Sequence, residues 1–163
     1  MSDQKVISII KKTMPAVVSI VITKHLEDIQ KEIPPDLYPF LPNGPDGPKL
    51  KIPPELIDKR GMVQVGGGSG FIVESDGLIL TNKHVISDPK AEYTVIISDD
   101  RKFSAEVLTR DPINDVAILK IQASGLPVIK LGDSTKVELG ETAIAIGNAL
   151  GIFKNTVSMG IVS

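Results

Sequence analysis

The sequence predicts an all-β chain built on a small antiparallel barrel, with one short helix ahead of it. Three observations carry that expectation. Val and Ile dominate the apolar residues while aromatics make up only 4%, and β-branched side chains suit a pleated, half-buried surface. Short apolar runs recur at close intervals over residues 62–121 with almost no helical periodicity. Turn chemistry separates them, in Ser75-Asp76-Gly77 and Ser98-Asp99-Asp100.

Each element follows in order. Ser2 or Asp3 is a helix cap, Val6, Ile9 and Ile10 share one helical face, Lys11 and Lys12 suit the C-terminal end, and Pro15 stops the helix. Residues 16–23 read as a strand with apolar residues on both faces. Residues 25–60 break the pattern. Pro34-Pro35, Pro39, Pro42, Pro45, Pro48 and Pro53-Pro54 interrupt any ladder, and Asn43-Gly44 and Asp46-Gly47 add turns. Within this insertion Leu37, Tyr38, Phe40 and Leu41 form an apolar cluster that either docks on another surface or tucks against its own domain. Strands resume at 62–65, 70–74, 78–81, 93–98, 102–110 and 116–121, with Gly66-Gly67-Gly68 read as backbone freedom where a strand begins. After Ala123-Ser124-Gly125 a second set begins at 128–131, 142–147 and 156–162, too short to close a barrel of its own. The domain reading is therefore a helix over 1–15, a first barrel over 16–123 and the start of a second over 124–163.

Composition narrows the function classes. The length of 163 residues fits one domain or one domain plus part of another. A formal charge of −2 without a basic stripe argues against a nucleic-acid partner. The absence of cysteine excludes disulfides and thiolate chemistry. The start of the chain lacks the basic and small-residue pattern of a signal peptide, and no apolar run is long enough to span a bilayer. Gly66-Gly67-Gly68-Ser69-Gly70 lacks the Lys-Ser/Thr of a phosphate loop and precedes a strand rather than a helix. Neither histidine has a ligand-type neighbour at metal-binding spacing, so no metal is expected.

Two residues carry chemistry. His84 sits where residues 78–81 leave the barrel, rigid enough to hold an imidazole yet open enough to meet substrate. Asp115 lies between a Pro-containing turn and the apolar run 116–121, where a buried carboxylate needs a partner, and His84 is the natural one. A histidine base oriented by an aspartate is two thirds of a nucleophilic serine triad. Asp111, ahead of Pro112, reads as a turn former, Asp99 and Asp100 as solvated turn residues, and His25 as a surface residue.

Several ordered motifs add a resemblance. Gly68-Ser69-Gly70-Phe71-Ile72-Val73, Asp76-Gly77-Leu78-Ile79-Leu80-Thr81-Asn82-Lys83-His84-Val85 and Asp111-Pro112-Ile113-Asn114-Asp115-Val116-Ala117-Ile118-Leu119 resemble the HtrA/Deg family of trypsin-like serine proteases. Leu131-Gly132-Asp133-Ser134, Ala145-Ile146-Gly147-Asn148 and Asn155-Thr156-Val157-Ser158-Met159-Gly160 continue the match, and Pro15-Ala16-Val17-Val18-Ser19-Ile20 matches the first strand. The resemblance implies a trypsin-like barrel with His84 as general base, Asp115 as its orienting acid, no cofactor and unfolded polypeptides as substrates. It also implies trimer-based homo-oligomers, a regulatory role for the insertion and a cell-envelope location. Ala149 departs from the family's usual proline. The family's Gly-Asn-Ser-Gly-Gly nucleophile segment is expected after Ser163, so these 163 residues alone are expected to be inactive, with unpartnered strands after about Gly125. Two other readings stand beside the protease: a non-enzymatic binding or assembly module on a protease barrel, and one half of a split enzyme.

Overall fold

The computed structural model describes residues 2–44, 47–147 and 156–163. Pro45, Asp46, Asn148, Ala149 and Asn155, cited above, lie outside the described residues. The first helix, α1, spans Asp3–Thr13, with Val6, Ile9 and Ile10 half-buried on one face. The expected side-chain cap is not made. The backbone carbonyl of Ser2 accepts from the amides of Lys5 and Val6 instead. Pro15 lies in a 3-10 turn, Met14–Ala16, that delivers the chain into β1, Val17–His25.

The Pro-rich insertion has more structure than its sequence promises. A short helix, α2 (Leu26–Lys31), and a 3-10 turn, Pro35–Phe40, precede the two-residue strands β2 (Asn43–Gly44) and β3 (Gly47–Pro48). The Leu26 amide donates to the Gly61 carbonyl at 3.0 Å and closes the base of the insertion. Leu37 and Leu41 turn toward a hollow shared with Ile29, Ile33 and Val65, whereas Phe40 is 83% exposed. Part of the cluster thus packs against its own domain, and Phe40 does not.

Six strands close the barrel. Beyond β1 these are β4 (Met62–Glu74), β5 (Leu78–Thr81), β6 (Glu92–Ile96), β7 (Lys102–Arg110) and β8 (Ala117–Ile121), in the antiparallel order β1-β4-β5-β8-β7-β6. The β1–β6 pairing seals the ring. Side chains alternate across each strand. Val18 and Ile20, Ile79, Val95, and Leu119 and Ile121 point inward and are fully buried with Ile72 and Ile86. Burial of each such side chain is worth about 1.5–3 kcal/mol.

Two expectations need correction here. The triple glycine does not divide two strands. It lies inside the continuous 13-residue β4, because Gly66, Gly67 and Gly68 pair in register with Ile22, Val21 and Ile20. Residues 128–131 form no strand. The β1–β4 ladder starts at Val17 opposite Phe71, and the Ile129 amide takes the Ile72 carbonyl beyond it at 3.0 Å, a single bond rather than a ladder. The last strands, β9 (Thr142–Gly147) and β10 (Thr156–Ile161), pair with each other as a separate two-stranded sheet. Its Met159 and Ile161 are largely exposed.

Candidate active site

The barrel order places the two chemistry-bearing residues together. β5 and β8 are antiparallel neighbours with Thr81 opposite Ala117. The chain leaving β5 and the chain arriving at β8 therefore meet at one end of the barrel. His84 lies on a 3-10 turn, Lys83–Ile86, just after β5, and Asp115 lies two residues before β8. The loop ahead of Asp115 is built by Asp111, whose Oδ1 accepts from the amides of Ile113 at 2.7 Å and Asn114 at 2.8 Å. This is the turn-forming role its sequence position suggests.

Asp115 holds His84 at two points. Its Oδ1 accepts from the His84 backbone amide at 2.9 Å, and its Oδ2 lies 2.5 Å from the ring Nδ1. Asn82 Nδ2 donates to the Asp115 carbonyl at 3.0 Å, and Lys83 Nζ reaches the Pro112 carbonyl at 3.2 Å. These two contacts fix one turn against the other. The backbone amide of His84, the His84 ring and the charge of Lys83 hold the Asp115 carboxyl below the usual carboxylate range, against some desolvation. An Asp115 carboxylate accepting at Nδ1 selects the tautomer in which the neutral ring presents its lone pair at Nε2. The His84 side chain is 72% exposed, so that lone pair is accessible.

Asp115 is not the buried carboxylate anticipated from the run that follows it. Its side chain is 47% exposed, because burial begins at Ala117 rather than at Val116. Asn82 and Val116, which flank the pair, also line an apolar groove of ≈ 500 Å³ between α1, the barrel and β9. His25 lies at the far end of β1, opposite Met62, while Val18 near the other end is opposite Gly70. That separation is on the order of 20 Å at ~3.3 Å per residue. His25 is exposed, as its sequence setting suggested. Among the described residues no three His, Asp or Glu side chains gather as a metal site, and no helix is long and apolar enough to cross a membrane.

Sequence reasoning passed over Asn82 and Lys83 as positioning groups, and their contacts to the 112–115 loop had no signal in the local pattern. It also passed over Lys24, which is 4% exposed. Lys24 shares the inward phase of Val18, Ile20 and Ile22 along β1, and that phase was the available signal.

Comparison with known proteins bears on the fold and family. Residues 68–163 match the family described as trypsin-like peptidase domain. The chain is 39% identical over 161 residues to a probable periplasmic serine endoprotease DegP-like of Pseudomonas putida, covering 96% of this chain and 33% of that protein. It is 36% identical over 168 residues to the putative serine protease HhoA of Synechocystis, covering 99% and 39% respectively. The mitochondrial serine protease HTRA2 of Drosophila pseudoobscura matches at 45% identity over 102 residues, 62% of this chain and 24% of that protein. The chain thus spans about a third of the length of the curated relatives it matches over nearly its full extent. With a closed antiparallel barrel, a His-Asp pair joining the β5 and β8 ends, and these matches, the chain belongs to the trypsin-like peptidase family, in its HtrA/Deg branch.

Proposed function

We propose that this chain supplies the base and orienting acid of a Ser-His-Asp endopeptidase that degrades unfolded polypeptides. The observation that supports this most is the two-point hold of Asp115 on His84, which leaves Nε2 free and accessible. In this reading His84 Nε2 accepts the proton of a serine hydroxyl as that oxygen attacks the scissile carbonyl. It then delivers the proton to the leaving amine, while ionised Asp115 stabilises the imidazolium. The acyl-enzyme is cleared when His84 activates a water in the same way.

The nucleophile and the donors for the tetrahedral oxyanion are, in this proposal, supplied from outside these 163 residues. The chain alone therefore has no hydrolytic activity. Residues 1–15 act as an N-terminal helix, 16–123 as the first barrel, and 124–163 as the start of the second, with the β9–β10 hairpin as its first piece. The relatives named as periplasmic endoproteases support an extracytoplasmic location. Trimer-based self-association is the assembly the family resemblance favours.

The test uses the full-length protein. His84→Ala should lower turnover of an unfolded protein substrate by roughly 10⁴-fold or more, and Asp115→Asn by roughly 10⁴-fold through the wrong tautomer. Substrate binding should persist in both. Undiminished hydrolysis in His84→Ala, or measurable hydrolysis by purified residues 1–163, overturns the proposal. Intact biological activity without turnover favours a binding module instead.

A further inference from the structure

Lys24 is a buried cation with no part in the reaction just described. Its side chain is 5% exposed, and its ammonium meets two carboxylates from different elements. One is Glu32, at the end of α2 in the insertion. The other is Asp88, at 2.6 Å, two residues beyond the turn that carries His84. A buried charge is costly unless it is paired, and Lys24 pairs at once with the insertion and with the segment just after the His84 turn. The hydrogen bond from Lys24 is the leading cause that keeps both carboxyls below their usual range.

The His84 turn is fastened around the same cluster. The Lys90 amide donates to Asp88 Oδ1 at 2.8 Å, and Tyr93 Oη donates to the Asp88 carbonyl at 2.6 Å. Arg110 Nε donates to the Ile86 carbonyl at 2.7 Å, and Ser87 Oγ to the His84 carbonyl at 3.2 Å. Lys90 Nζ returns to Glu32 Oε1 at 3.2 Å. A path of charged contacts and backbone therefore runs from the insertion, through Glu32, Lys24 and Asp88, to His84.

We propose that Lys24 is a positioning residue for His84, coupling the docked state of the insertion through Glu32 to the turn that presents the imidazole through Asp88. Its meaning for catalysis rests on the endopeptidase reading, but the coupling itself is a property of residues 24–90. Releasing the insertion loosens the His84 turn, and docking it tightens the turn.

The chain has two histidines, so the imidazole and amide signals of His84 can be assigned in a ¹⁵N-labelled sample with His25→Asn as the control. Glu32→Gln, at a half-exposed site, removes the charge held by Lys24 and Lys90 and leaves the Lys24–Asp88 contact in place. Amide exchange of Leu26 and Glu32 should rise at least tenfold, and exchange of the His84 amide and its Nδ1 proton should rise several-fold with it. Lys24→Met should show both effects more strongly, and Lys24→Arg should restore both. Unchanged amides of Val95 and Leu119 establish that the barrel is intact. If Lys24→Met does not fold, Glu32→Gln decides alone. A loosened insertion with unaltered His84 signals overturns the coupling, as does no change in either. Activity retained in His84→Ala sinks the endopeptidase reading but does not bear on the exchange rates compared between the parent chain and its Lys24 and Glu32 variants, all of which keep His84, so the two failures are distinguishable.

Discussion

Asp115 spends one oxygen on the backbone of His84 and the other on its ring. This fixes both the position and the tautomer of the imidazole, and it sets a pH signature. In an unfolded chain the carboxyl titrates at about 3.9. In the folded chain the His84 amide, foremost, holds it lower. Between those two values the unfolded state binds more protons, so stability rises with pH across the window. The contribution is complete above about pH 4 and is lost as pH falls through the lower, folded value. The acidic midpoint of the Asp115 carboxyl carbon resonance should therefore lie below about pH 3.9; an acidic midpoint at or above that value contradicts the described geometry. His84 and Asp115 were legible because each stands at the end of an apolar run that betrays its strand. Asn82 was not singled out, because its partner is 33 residues away in sequence; Lys24 was passed over although its strand phase marked it, because the Asp88 that completes its pairing lies 64 residues away.

β4 shows what a strand's sequence conceals. Its glycines look like a break, yet the strand needs them as places of close approach. A Cβ on Gly68 would stand 2.5 Å from Val85 Cγ1. Val85 follows His84 directly and packs into the core. Gly68→Ala should therefore push the His84 turn outward, lowering stability by about 1–3 kcal/mol and shifting the His84 ring resonances. Urea unfolding and the imidazole spectrum read the two effects; an unshifted His84 would mean that Val85 yields without its neighbour. Gly77 was legible for a different reason. Its φ of +100° suits the tight β4–β5 turn, and Ser-Asp-Gly is turn chemistry on its face. Residues 128–131 misled because an apolar run reads as a strand whether or not a ladder is free to receive it.

Across the whole molecule, the closed barrel and the β9–β10 hairpin differ in how their apolar surface is covered. β8 alternates between buried and half-buried residues, whereas every residue of β10 is exposed. A two-stranded sheet is marginal by itself in water. Amides of β10 should exchange faster than those of β8 by roughly a hundredfold or more; equal protection in hydrogen exchange would mean the hairpin is held by something other than its own pairing. The barrel was legible as a class because alternation and turn chemistry are local. Its closure was not, because the β1–β6 seam joins Thr23 to Glu92 across 69 residues. That seam has a consequence for synthesis. A ribosome adding about 5–20 residues per second emits β6 on the order of 3 to 14 s after β1. Through that interval the valines and isoleucines of Val17–His25 leave the exit tunnel with no second edge to pair with. Among the barrel strands, the first made is therefore one whose seam is sealed late, and until then its open edge is available to a nascent-chain chaperone.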